Sequence, residues 1–99
     1  MKHKKDFEQE NYLLSESGNI AMMFKYILGY ATNDTDNEMF IVSMNKLLEF
    51  VQPLLQHDTY KLHRFESPEW TWNALCGRAG FVVFDETDSV IGIHLTRMN

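Results

Sequence analysis

The stretch Phe81-Val82-Val83-Phe84-Asp85-Glu86-Thr87-Asp88-Ser89-Val90-Ile91-Gly92-Ile93-His94-Leu95-Thr96 decides the fold. Four apolar residues, a polar loop, and a second run with Ile91, Ile93 and Leu95 on one face read as an antiparallel β-hairpin. A hairpin alone is marginal in water, so helices or a third strand must cover one of its faces. Just upstream, Ser67-Pro68-Glu69 is a helix start: a capping residue, proline at the first helical position, and an acid in the first turn. It predicts a short helix from Pro68 to Cys76, with Gly77 placed to stop it. Before that, Tyr60-Lys61-Leu62-His63-Arg64-Phe65 alternates in part and is the candidate third strand.

The first half supplies the covering helices. Ile20, Met23, Phe24, Ile27, Leu28 and Ala31 recur at helical spacing and predict an amphipathic helix over residues 19–31, capped by Ser17 or Asn19. Phe40, Met44, Leu47, Leu48, Val51, Leu54 and Leu55 predict a second, from about Asp36 to Gln56, which Pro53 should kink or end near Gln52. Asp6 to Leu14 has a thin apolar stripe (Phe7, Asn11, Leu14) suited to a short helix, and residues 1–5 are expected to fray. The expectation is therefore a single α+β domain over residues 1–99. Two long amphipathic helices and one short helix pack on a C-terminal antiparallel hairpin, which has three strands if Tyr60–Phe65 joins it.

Size and charge narrow the function. The chain has 99 residues, 44% of them hydrophobic, enough to bury a real core in one domain. One cysteine excludes a disulfide framework within the chain. No run approaches the roughly 18–20 apolar residues of a membrane span. The basic start, Met1-Lys2-His3-Lys4-Lys5, has no apolar region behind it, so a secretory signal is not expected; with the free Cys76 this points to a cytoplasmic protein. The net charge is −5. Residues 6–59 carry nine acids and two bases, Lys25 and Lys46, the wrong field for nucleic-acid phosphates.

Chemistry-bearing residues do not fall into catalytic patterns. His57, His63, His94 and Cys76 lack the close ligand pairs of a metal site, so neither a metal nor a cofactor is expected. Asp34, Asp36 and Glu38 alternate like calcium ligands, but Met39 and Asn45 stand where the loop needs glycine and glutamate. Cys76 lies at a helix end that does not activate a thiol. Trp70 and Trp72, two apart on a helix, point roughly 200° apart and cannot both enter one core equally; Trp70 is the candidate exposed anchor. Acids cluster at two loop tips: Asp34 and Asp36 between the long helices, with Glu38 in the first turn of the second, and Asp85, Glu86 and Asp88 in the hairpin turn. Their field suits a basic protein partner.

The segments Arg78-Ala79-Gly80-Phe81-Val82-Val83 and Gly92-Ile93-His94-Leu95-Thr96-Arg97-Met98-Asn99 resemble the closing hairpin of the immunity proteins of contact-dependent growth inhibition and related polymorphic toxin systems. The resemblance implies a small, acidic, cytoplasmic bacterial protein that binds a cognate toxin domain, usually a nuclease, and blocks it without chemistry of its own. It transfers no contact residue, since each pair uses its own surface. The expected function is thus a non-enzymatic inhibitor. Its candidate contacts are Asp34, Asp36, Glu38, Trp70, Asp85, Glu86 and Asp88. The alternatives are a small enzyme or ligand-binding domain using His63, Cys76 and Arg78 in a pocket, and a cytoplasmic adaptor subunit.

Overall fold

A computed structural model describes residues 1–21, 23 and 37–99. Four strands form one antiparallel sheet in the order β1-β2-β3-β4: β1 Leu13–Leu14, β2 Lys61–Glu66, β3 Arg78–Phe84 and β4 Val90–Met98. Helices α1 Lys4–Gln9, α2 Asn37–Gln56 and α3 Glu69–Asn73 accompany them.

Strand β3 is central because its sequence suits burial on both faces: Phe81, Val82, Val83 and Phe84 form a continuous apolar run, and all are fully buried. Directly opposite residues of an antiparallel pair share a face. Phe81 and Val83, with Leu62 of β2, meet Met23, Leu47 and Val51 on the α2 side. Val82 and Phe84, with Phe65, meet Phe7 of α1 on the other side. Phe7 sits edge-on to Tyr12, Phe65 and Phe84, with centroids 5.4, 5.6 and 5.6 Å away.

This corrects the expected architecture. The sheet has four strands, not a hairpin with an optional third. Among the described residues only α2 is long, so the two-long-helix arrangement does not hold there. The helix expected over residues 19–31 lies outside the described residues, apart from Asn19, Ile20, Ala21 and Met23. Strand β1 falls within the stretch Asp6–Leu14, where the sequence predicts a helix. That helix ends early, because Asn11 takes the left-handed conformation (φ 59°), which asparagine tolerates and which terminates a helix. The chain then runs extended along β2. Leu14 lies opposite Phe65, Ser15 N–H donates to the Arg64 carbonyl at 2.9 Å, and Gly18 N–H to that of Leu62 at 2.8 Å.

Residues 1–5 make contacts with the hairpin and with α1. The His3 ring nitrogen Nδ1 accepts from Lys5 N–H at 3.1 Å. Its Nε2–H donates to the Thr87 carbonyl at 2.9 Å. The Asp6 carboxylate accepts from the backbone N–H of Lys2 and His3. These amides hold Asp6 below the ordinary carboxylate range. Val90 N–H donates to the Lys2 carbonyl and Lys4 N–H to that of Asp88, so the N-terminus closes the end of the hairpin.

Helix α2 runs through Pro53 to Gln56, the end that its spacing predicts; Pro53 does not end it. Leu47 and Val51 are buried, while Leu48 and Leu55, read as part of the same stripe, are exposed. Helix α3 ends before the predicted Cys76, with Leu75 left-handed at φ 62°. Gly77 serves packing instead: a Cβ there would overlap the Trp72 indole.

Candidate functional site

The α3 end of the sheet carries an open groove of about 540 Å³. The cap of α1 contributes Glu10, the turn after it Tyr12, helix α3 Trp70, the turn before β3 Cys76, and the start of β3 Arg78. Ser67 holds this corner together. Buried, it shares a 2.6 Å hydroxyl contact with Thr71 and accepts from Arg78 N–H at 2.8 Å. Thr71 is thus the inward residue of α3, and the tryptophans on either side of it diverge. Trp72 packs on Gly77, with the Arg97 guanidinium 4.4 Å from the centre of its ring. Trp70 stands out at the groove, 65% exposed. Partial burial, reinforced by the Glu10 charge and opposed by Arg78, pushes the Tyr12 phenol above its ordinary range. Tyr12 is therefore a neutral hydroxyl at physiological pH, able to donate as well as accept.

The other sequence-derived contacts lie elsewhere. Asp85, Glu86 and Asp88 sit in the β3–β4 turn, about 20 Å along β3 from the groove at the usual strand rise. Asp85 Oδ1 accepts from the Thr87 hydroxyl at 2.7 Å and from the N–H groups of Thr87 and Ser89 at 2.8 and 3.0 Å. These bonds, the Thr87 hydroxyl foremost, hold its carboxyl below the ordinary range. Glu86 accepts from the Thr59 hydroxyl at 2.9 Å. Asp88, left-handed at φ 63°, pairs with Lys61 at 3.6 Å, too long for a hydrogen bond. The tip acids are therefore fixed in position, and each already has a local partner. Glu38 lies in the first turn of α2. Asp34 and Asp36 lie outside the described residues.

The three residues of the enzyme alternative do not converge. Cys76 and Arg78 line the groove. His63 is buried in β2 opposite Val82; its Nδ1–H donates to the Ser15 carbonyl at 2.8 Å, and its ring meets Phe84 edge-on. Among the described residues no group of three or more His, Cys, Asp or Glu side chains is placed to hold a metal ion, and no helix is long and apolar enough to cross a membrane.

Sequence reading found Trp70, Cys76 and Arg78 but not Glu10 and Tyr12. The groove exists because β1 pairs with β2 across some fifty residues of chain, and no local pattern marks that contact. Comparison with protein-family models, with curated proteins and with solved structures finds no match to this chain.

Proposed function

We propose that the protein acts by binding and has no chemistry of its own: it is an inhibitor that covers a basic toxin domain, as the immunity proteins whose hairpin it resembles do. One observation carries this reading. Trp70 stands exposed beside a groove whose floor is tied to a four-stranded sheet through Ser67, Thr71 and Arg78. A rigidly backed, exposed indole is the side chain most enriched among residues that dominate binding energy. The net charge of −5 and the fixed carboxylates of the hairpin tip support a basic partner, since preorganised charge steers encounter.

The test pairs the chain with the product of the neighbouring reading frame. Co-expression should protect growth, and the purified proteins should form a complex. Trp70→Ala should weaken that complex by roughly thirty-fold, the scale of a hot-spot residue, without lowering the melting temperature. Glu86→Lys should slow association, mostly at low salt. No complex, or a complex that Trp70→Ala leaves at full affinity, refutes the proposal.

A further inference from the structure

The groove beside Trp70 holds two charges that the fold leaves unused. Glu10 is the C-cap of α1, where the negative end of a helix disfavours a carboxylate. The last turn of α1 carries no basic residue to offset it. Arg78 opens β3. Buried Ser67 clamps its backbone from both sides: the hydroxyl accepts from Arg78 N–H at 2.8 Å, and Ser67 N–H donates to the Arg78 carbonyl at 2.8 Å. The arginine side chain therefore starts from a fixed point on the groove wall. Among the described residues neither the Glu10 nor the Arg78 side chain is in an ion pair or a hydrogen bond. Yet both act on the same phenol. After burial, Glu10 and then Arg78 are the strongest influences on Tyr12, in opposite senses. Tyr12 is itself held in place: its N–H donates to the Phe7 carbonyl at 2.9 Å, and its ring meets Phe7 edge-on.

A carboxylate and a guanidinium that face one neutral hydroxyl without meeting each other select by charge. A cation alone is drawn to Glu10 and repelled by Arg78; an anion alone meets the reverse. A ligand carrying both charges satisfies both groups. A free α-amino acid has its ammonium and its carboxylate on one carbon, whereas a residue inside a peptide has neither. Beside the charges, Pro68 and the exposed Trp70 indole form an apolar wall, suited to an aromatic ring, which stacks on an indole. The volume of about 540 Å³ falls within the roughly 300–1,000 Å³ of small-molecule sites. We infer that this groove binds a free α-amino acid with an aromatic side chain. Glu10 takes the ammonium, Arg78 takes the carboxylate through its planar fork, the Tyr12 hydroxyl bonds between them, and Trp70 carries the ring. The site is complete in the free chain, so the inference stands or falls separately from the proposed inhibition.

An amide NMR titration of the chain alone with L-phenylalanine tests it. Resonances of Glu10, Tyr12, Arg78 and the Trp70 indole should shift together and saturate, while those of the hairpin tip stay still. N-acetyl-L-phenylalanine lacks the ammonium, and L-phenylalaninamide lacks the carboxylate. Each should bind about fivefold more weakly, the upper end for a solvent-exposed ion pair. The variants cross with these analogues. Glu10→Gln should bind L-phenylalanine no better than the N-acetyl compound, and Arg78→Gln no better than the amide. Trp70→Ala should weaken all three ligands alike. Glu10 and Arg78 are exposed, so their variants should keep the wild-type melting temperature; if one fails to fold, the analogue series on the wild-type chain decides by itself. No saturation, shifts centred outside the groove, or an analogue that binds as well as L-phenylalanine overturns the inference. So does discrimination that survives the matching variant, or full affinity in Trp70→Ala.

Discussion

Replacing Phe7 with alanine tests whether a six-residue helix closes one side of the sheet. Phe7 is wholly buried and makes three edge-on ring contacts, with Tyr12, Phe65 and Phe84. Truncating such a side chain costs about 3–5 kcal/mol in lost burial and residual cavity. A chain of this size has a total stability of about 5–15 kcal/mol, so the variant loses roughly a fifth of it or more. At about 4–8 °C per kcal/mol for a domain of 60–100 residues, the melting temperature should fall by at least roughly 12 °C. Phe7→Leu keeps most of the buried area but loses the ring pairs, each worth about 0.5–1.5 kcal/mol. It should fall between wild type and Phe7→Ala. Leu13→Ala, at an exposed position, is the control and should not move. Circular dichroism melts and urea titrations read all three. A shift below about 4 °C for Phe7→Ala, equivalent to 1 kcal/mol or less, would mean that α1 does not close that side.

Further outcomes follow from single contacts. Burial of His94, with Lys46 nearby, holds its imidazole below the ordinary value of 6.5. The folded state therefore disfavours the proton that the unfolded state accepts, and the contribution of neutral His94 is present above 6.5 and lost as pH falls through the folded value. Urea titrations from pH 7.5 downward should show stability dropping below 6.5, with a shallower drop in His94→Gln; equal slopes would refute this. At Gly80 a Cβ would overlap the His94 carbonyl, whereas at Gly92 it would touch Phe50 at an ordinary 3.4 Å. Gly80→Ala should thus cost about 1–3 kcal/mol, typical of overpacking, and Gly92→Ala almost nothing; equal melting temperatures would contradict the β3–β4 register. Asp85→Ala should lower the melting temperature by unmaking the turn, while Glu86→Ala, with one exposed contact to Thr59, should not; the reverse order would show that the tip is not organised by Asp85.

The hairpin and α2 were legible because each carries its own period over many residues. Phe81–Phe84 is apolar without interruption, as a strand buried on both faces must be. Leu47 and Val51 repeat at helical spacing. What was illegible depended on long-range pairing. Leu13 and Leu14 are too few to show alternation, and they become a strand only because Asn11 turns the chain onto β2. The side on which Ile91, Ile93 and Leu95 lie was not legible either: alternation says that they share a face, not whether a helix covers it. At the site, Trp70 was legible from its two-residue offset from Trp72, whereas Tyr12 joined it only through the β1–β2 pairing. The tip acids were legible as a cluster, but their hydrogen bonds to Thr87, Ser89 and Thr59 depend on backbone geometry that composition does not encode.

The order of strands has a consequence for how the chain is made. The central strand, β3, spans residues 78–84, near the end of the sequence. On a ribosome, Phe7, Leu14 and Leu47 emerge long before the strand that organises their core. The two outer strand pairings also differ in closure cost. Five residues join β3 to β4, whereas 46 separate β1 from β2, an entropic difference of about 2 kcal/mol for flexible loops. The hairpin can therefore form first, β2 add next, and the N-terminal segment dock last. Synthesis from one end and assembly from the other leave the buried side chains of α1, β1 and α2 unpartnered until β3 is out. That interval is when the protein is most open to aggregation or to a chaperone.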